Sequence, residues 1–292
     1  MPELPEVETI VRDLRKEVLH RTFIDIWTDT ENMIKNETLE SLKKRLIGKE
    51  IVGVRRRAKN ILIDLSDDYV LLVHQKIAGH LLFGKWKLEK NHWRAEKDGP
   101  LLTDPINNYI HVLFILDNES QMALSDARKF AKVELWKREE LEKSEDFLKI
   151  GPEPLEDNFT FSDFKKLFEK KKGKIKQVLM DQNFISGIGN IYASEILFKS
   201  KIHPEEEIKN LDEKDLKNIY NATREILEKA IELRGDSFSD FRTLYGEKGE
   251  AQGMNKVYQK DGKACPRCGG TIQRITQGGR GTFFCPKCQI KR

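Results

Sequence analysis

Cysteine is scarce and confined: the chain of 292 residues has four, all between positions 265 and 288, so sulfur chemistry is restricted to one short stretch. Long apolar runs are missing as well. None approaches the ~20 residues needed to cross a bilayer, and the start of the chain, acidic rather than basic and apolar, is no secretory signal. The 38% hydrophobic and 34% charged content is that of a soluble, cytoplasmic globular protein with no membrane partner. There is no internal repeat and no low-complexity tract. Acidic residues almost vanish at the end: residues 255–292 contain Asp261 against nine Lys and Arg, a local charge of +8 that leaves −4 for the rest. Charge placed in this way suits a polyanion such as nucleic acid, with a solvated basic tail as the plain alternative.

What is present begins at the first residues, Met1-Pro2-Glu3-Leu4-Pro5-Glu6-Val7-Glu8. Removal of Met1 would expose a secondary amine, which no side chain can supply. Such an amine adds to an aldehyde carbon and loses water to give an iminium that no pH can deprotonate. A free α-amino group titrates near pH ~8, so part of it is unprotonated at neutrality. Glu3 and Glu6 could move protons beside it. The alternative is a flexible start in which Pro2 only fixes φ and the acids are solvated.

Val7, Ile10, Val11, Leu14 and Val18 recur at helical spacing, predicting a helix over 6–18. Short β-rich runs follow at Thr22–Trp27, Glu50–Arg55, Ile61–Leu65, Tyr69–Gln75, Tyr109–Leu116, Gln121–Ser125 and Val133–Trp136, with one helix over 38–46; this pattern favours a sandwich or barrel. Gly151-Pro152-Glu153-Pro154 marks a break. Beyond it, helices are expected from Ser162 as a cap, over 174–180, over 190–199 and over 212–234. Residues 235–256, with four glycines and few large aliphatics, read as a mobile loop.

Cys265-Pro-Arg-Cys268 and Cys285-Pro-Lys-Cys288 have the spacing of a closed, tetrahedral, structural zinc site, and two disulfides are the alternative. Between these knuckles two short strands flank Gly278-Gly279-Arg280-Gly281, so Arg280 rides the tip of a hairpin, either entering a DNA groove or standing as an exposed turn arginine. Gly187-Ile188-Gly189-Asn190 reads as a turn feeding a helix near whose N-cap Asn190 lies, a place suited to phosphate. Lys170–Lys172, Lys174 and Lys176 lie just upstream, as phosphate contacts or as a solvated surface. Lys59 follows Arg55-Arg56-Arg57 at a strand edge and is a candidate for burial near a site. Asp126-Ala127-Arg128-Lys129-Phe130 joins cations to one aromatic, suited to prying into a stacked duplex; local evidence favours a core-facing Phe130 instead.

Pro2-Glu3-Leu4-Pro5-Glu6, Arg56-Arg57-Ala58-Lys59, Gly151-Pro152-Glu153-Pro154-Leu155, Gly187-x-Gly189-Asn190-Ile191-Tyr192-Ala193-Ser194-Glu195 and the cysteine hairpin, in one order over nearly the whole chain, resemble the bacterial formamidopyrimidine-DNA glycosylases. The resemblance implies an α+β multidomain fold. It comprises an N-terminal β-sandwich with its helix over 1–150, a helix-two-turn-helix domain over 151–254 with a lesion loop at 235–254, and a zinc-ribbon-like finger over 255–292, DNA lying in the cleft. It further implies a monomer with one structural zinc, acting on double-stranded DNA that contains oxidised bases or abasic sites. Such an enzyme excises oxidised purines and nicks the strand. By motif, Pro2 is the nucleophile and Glu3 the acid that helps open the sugar, with Glu6 supporting them. Lys59 and Arg280 match the proton donors of β- and δ-elimination, and Asn190, Lys171 and Arg128 match DNA-contacting positions. Ser237 and Tyr245 are expected near the extruded base. Ile77 stands where the family usually has methionine, and Tyr109 where a DNA-contacting histidine is frequent; Ala127 and Lys129 also depart from the family loop in which Phe130 lies. An extended segment near Trp86–Asn107 is unusual. The competing readings are an endonuclease VIII-like glycosylase for oxidised pyrimidines and a binder of damaged DNA that does not cut.

Overall fold

Pro5 in the first turn, a reciprocal capping box between Glu3 and Glu6, and Arg15 and Lys16 in the last turn define helix α1, Leu4–Glu17. Leu4, Val7, Ile10, Val11 and Leu14 form its buried face. In this computed structural model, which describes residues 1–90 and 92–292, that face packs on a core supplied by two antiparallel four-stranded sheets. Chain order gives β1 (Phe23–Thr28), α2 (Leu39–Leu46), β2 (Ile51–Arg57), β3 (Asn60–Leu65), β4 (Tyr69–His74), β5 (His80–Gly84), β6 (Trp86–Glu89), β7 (His92–Ala95), α3 (Pro100–Thr103), β8 (Ile110–Leu116), β9 (Gln121–Ser125) and β10 (Lys132–Lys137). One sheet runs β1-β8-β9-β5 and the other β10-β4-β3-β2. Phe23, Ile26 and Phe114 from the first meet Ile61, Ile63 and Val73 from the second in one core, the arrangement of a sandwich.

Three features depart from the sequence expectation. β5 was absent from it because His80–Gly84 has no β-branched residue and ends on glycine; Leu81 joins the main core while Leu82 joins a second cluster with Trp86 and Leu113, so both faces are buried. The β6–β7 hairpin packs Trp93 edge-to-face on Trp27, centroids 5.5 Å apart. The third concerns residues 233–252, which group with residues 1–148 rather than with the helical stretch. They are also no loose loop: Phe241, Arg242, Thr243, Leu244 and Ala251 are buried, and Phe83 N–H donates to the Leu244 carbonyl. Polar anchors hold this strap where aliphatic residues are few. Arg234 pairs with buried Asp13 (2.6 Å), Asp236 N–H donates to Glu6 (2.7 Å), and the Tyr245 hydroxyl donates to Glu17 (2.8 Å). Glu6, Asp13 and Glu17 are seven and four residues apart, one stripe along α1.

After α4 (Arg138–Lys143) and α5 (Glu145–Leu148), the second unit comprises residues 149–232 and 253–292. It contains α6 (Phe161–Phe168), α7 (Ile175–Leu179), α8 (Asn190–Ser200), α9 (Glu213–Glu232) and the hairpin β11 (Gln273–Gln277) and β12 (Arg280–Phe284). Thr160, not Ser162, caps α6, through a capping box with Asp163. Nearly every residue of α8 is buried, which removes its amphipathic signature. Its Glu195 accepts from the N–H groups of Lys256, Val257 and Tyr258 and so anchors the approach to the cysteine hairpin. Burial pushes the Glu195 carboxyl above its ordinary range despite those three donors. Among the described residues, no helix is long and apolar enough to cross a membrane.

Candidate active site and nucleic-acid interface

Pro2 is buried, whereas Met1 is 43% exposed. Glu3 and Glu6 are almost fully enclosed beside it, so the flexible, solvated start is not what the chain adopts. The Glu3 N–H donates to Glu6 Oε2 at 2.7 Å, and the other Glu6 oxygen receives Asp236 N–H. One carboxylate therefore fixes the helix start and the strap together. With Met1 attached the Pro2 nitrogen is an amide; after its removal the amine would sit at a rigid helix entrance beside two buried carboxylates.

Lys59 is 6% exposed, in the two-residue turn between β2 and β3. Ala58, which precedes it, has φ +53°, a strained value for a residue with a side chain in such a turn. α1 and β2 run antiparallel: Arg15 donates to the Val54 carbonyl, and Arg56 pairs with Glu8 at 3.0 Å. The turn holding Lys59 consequently points toward the end of α1 where Pro2 and Glu3 lie.

Ile77, Tyr109 and Phe130 are large apolar residues left exposed, at 40, 45 and 51%. Strand register puts them at one end of the sandwich. His80 pairs with Ser125, Asp126 N–H donates to the Tyr109 carbonyl, and Lys132 pairs with His74. Phe130 does not face the core, contrary to the local reading. Buried Asp126 explains this: its carboxylate accepts from the N–H groups of Arg128, Phe130 and Ala131, and Lys129 at φ +56° completes the turn. With the carboxylate inside, the residues after it point outward, and the Arg128 guanidinium lies over the Phe130 ring at 5.0 Å. An exposed cation on an exposed aromatic can meet a phosphate and a base face at once.

In the second unit Asn190 is the first residue of α8, and Gly189 is the N-cap. Its side chain accepts from Lys176 Nζ (2.6 Å) and donates to the Gly281 carbonyl (3.0 Å); Lys176 also reaches Thr282 Oγ1 (2.7 Å). Lys176 is 1% exposed, so it is neither a surface lysine nor an open phosphate contact: it locks the hairpin to the turn before α8. Nothing in a lysine run signals this except the apolar spacing around it, where Ile175, Val178 and Leu179 are also buried. Lys171 pairs with Asp181 at 2.7 Å. Arg280 is exposed and opens β12 opposite Gln277, after Gly278 and Gly279 at φ +57° and +73°, a two-residue turn that favours glycine.

The four cysteine sulfurs lie within 4.8 Å of one another. Cys265 and Cys288 sulfurs are 3.9 Å apart and those of Cys268 and Cys285 3.5 Å, too far for disulfides and close to the about 3.8 Å edge of a tetrahedron with Zn–S bonds of ~2.3 Å. The set fits one structural zinc and leaves no ligand position open.

Comparison with known proteins agrees with this geometry part by part. The formamidopyrimidine-DNA glycosylase N-terminal domain matches residues 1–133, the formamidopyrimidine-DNA glycosylase H2TH domain residues 150–242, and the zinc finger found in FPG and IleRS residues 262–290. The class is thus that of the DNA glycosylases of repair. Formamidopyrimidine-DNA glycosylases of Pelotomaculum thermopropionicum and Streptococcus pyogenes serotype M6 are 35% and 36% identical, over 99% of both chains in the first case and 100% in the second. Two structures of the Lactococcus lactis enzyme, one of a variant with a Fapy-dG containing DNA and one with an abasic site containing DNA, superpose with TM-scores of 0.86 at 36% identity, over 99% of this chain and 100% of theirs. The chain belongs to the formamidopyrimidine-DNA glycosylase family.

Proposed function

We propose that this glycosylase excises oxidised purines, 8-oxoguanine and formamidopyrimidines, from double-stranded DNA and then nicks the strand as a lyase. The observation that carries the reading is the burial of Pro2 together with Glu3 and Glu6 at the start of α1. The base must leave the stack, because an amine cannot reach C1′ in an intact duplex. The amine of Pro2, freed of Met1, forms a bond to C1′ as the glycosidic bond breaks and the base departs with a proton; Glu3 donates a proton to the ring oxygen as the sugar opens. The resulting iminium acidifies the 2′ hydrogens. Loss of one of them expels the 3′ phosphate, with Lys59 as the proton donor of this β-elimination, and a second elimination served by Arg280 expels the 5′ phosphate. Water then releases the sugar remnant and restores the amine, leaving a one-nucleoside gap.

Exposed Arg128 and Phe130, with Ile77 and Tyr109 at the same end of the sandwich, suit insertion into the space that an extruded base vacates. Asn190 and Lys171 serve the DNA backbone. The zinc, held by Cys265, Cys268, Cys285 and Cys288, keeps the hairpin in shape and takes no part in bond breaking.

Borohydride added during reaction with an abasic-site duplex is expected to give a covalent adduct at Pro2 in protein lacking Met1. An active preparation that never traps, or whose intact mass retains Met1, would overturn the amine mechanism. One Lactococcus lactis complex contains an oxidised pyrimidine in DNA, so side-by-side excision of 8-oxoguanine and thymine glycol is the test of lesion class. Faster release of the pyrimidine would favour the endonuclease VIII-like reading.

A further inference from the structure

Resting on the proposed excision of an extruded base, with 235–254 as the lesion loop that the family resemblance implies, we infer that Asn107 and Asp104 are positioning residues that hold the 233–252 strap in shape to receive that base. Both come from the unusual segment between β7 and β8. Asn107 is fully buried, and its side chain makes three hydrogen bonds: Oδ1 faces His80 Nε2 at 3.0 Å, and Nδ2 donates to the carbonyls of Pro100 (2.8 Å) and Gly246 (3.0 Å). Because Nδ2 serves two carbonyls, Oδ1 is the acceptor, and His80 carries its proton on Nε2. The fit admits no side chain at position 246. Gly246 has φ +78°, and a Cβ there would come within 2.6 Å of Asn107 Nδ2 and 2.9 Å of Leu101 Cδ2.

Four residues earlier, Arg242 is 4% exposed and pairs through Nε with Asp104 at 2.6 Å, while its Nη1 donates to the carbonyls of Ser239 and Phe241. The guanidinium thus organises the strap's own backbone, and Asp104 holds the guanidinium. On the other side of the same turn, Tyr245 is tied to Glu17. The 241–247 turn is therefore fixed by polar groups of the 104–107 segment, of α1 and of β5. Loss of the Asn107 amide leaves the buried Gly246 carbonyl without its side-chain donor, which moving the strap would relieve, while the Pro100 carbonyl keeps the Asp104 N–H.

The segment also reaches the exposed apolar end: Ser125 Oγ donates to the Ile106 carbonyl, and Tyr109 lies two residues beyond Asn107. It gives the strap a pre-organised shape before any base arrives, so that the ordering cost of closure falls outside the excision step.

An abasic site has no base for the strap to cover, and it supplies the control. Asn107→Asp and, separately, Asp104→Asn are to be compared with wild type in single-turnover excision of 8-oxoguanine and in nicking of a preformed abasic duplex. Base excision is expected to fall about tenfold, the effect of ~1.4 kcal/mol of lost pre-organisation, with abasic nicking unchanged within about twofold and faster amide exchange over 241–247. Equal loss in both assays, or loss in neither, overturns the inference. Asp104 is partly exposed, so Asp104→Asn reads out even if the Asn107 variant fails to fold. A wild-type protein that neither traps nor excises would instead defeat the underlying amine reading.

Discussion

Asp126, Lys176 and His80 show how a single buried polar side chain decides what its neighbours can do. Asp126 turns Phe130 outward, and Lys176 holds the strand that carries Arg280. His80 sits in a site where burial pushes its imidazole down to about 4, against an ordinary value of 6.5. The folded state keeps His80 neutral between these values while the unfolded chain binds a proton, so stability is full above pH 6.5 and declines as the pH falls toward about 4. His80→Gln, which preserves a donor to Asn107, is expected to flatten this decline; urea midpoints at pH 7 and pH 5 measure it, and an unchanged pH dependence would remove His80 as its source. None of these roles was legible in the sequence. An aspartate before Ala127-Arg128, or a lysine within Lys170–Lys176, looks the same on the surface as in the interior, because the distinction arises from tertiary partners. By contrast the cysteines were legible, since ligand spacing marks them, and Pro2 and Glu3 stood out as candidates because they are tied to a chain start.

At the level of elements, short β-rich runs between turn residues revealed most strands, β3, β4 and β9 among them although both their faces are buried, and β5 escaped because His80–Gly84 has no β-branched residue and ends on glycine. The strap escaped for a different reason. Its glycines and polar residues suggested mobility, whereas Arg234, Arg242 and Tyr245 find partners distant in sequence. The hairpin β11–β12 was anticipated in kind, with Arg280 at its turn. Its attachment through Thr282 and Gly281 to Lys176 and Asn190 implies that Arg280 is held in a defined place relative to the turn before α8. Arg280→Ala should slow the second elimination more than the first, measured as accumulation of the β-elimination product on sequencing gels; equal slowing of both steps would make Arg280 a binding residue only.

For the molecule as a whole, the cysteine hairpin has a small core of its own, in which Val257, Ile272 and Phe283 gather around Cys265 and Cys285 and against Phe198. A module of this size depends on its metal. Elemental analysis of active protein is expected to find one zinc per chain, and thiol modification should release it together with DNA binding; active protein free of zinc would refute the structural role. The second consequence concerns biosynthesis. Because residues 233–252 complete the amino-terminal unit, the ribosome must finish the intervening helices before that unit can close. At ~5–20 residues per second the wait is on the order of ten seconds. Throughout that interval Glu6, Asp13 and Glu17 on the nascent chain lack the partners that later cover them, a window in which chaperones would find the newborn protein unfinished.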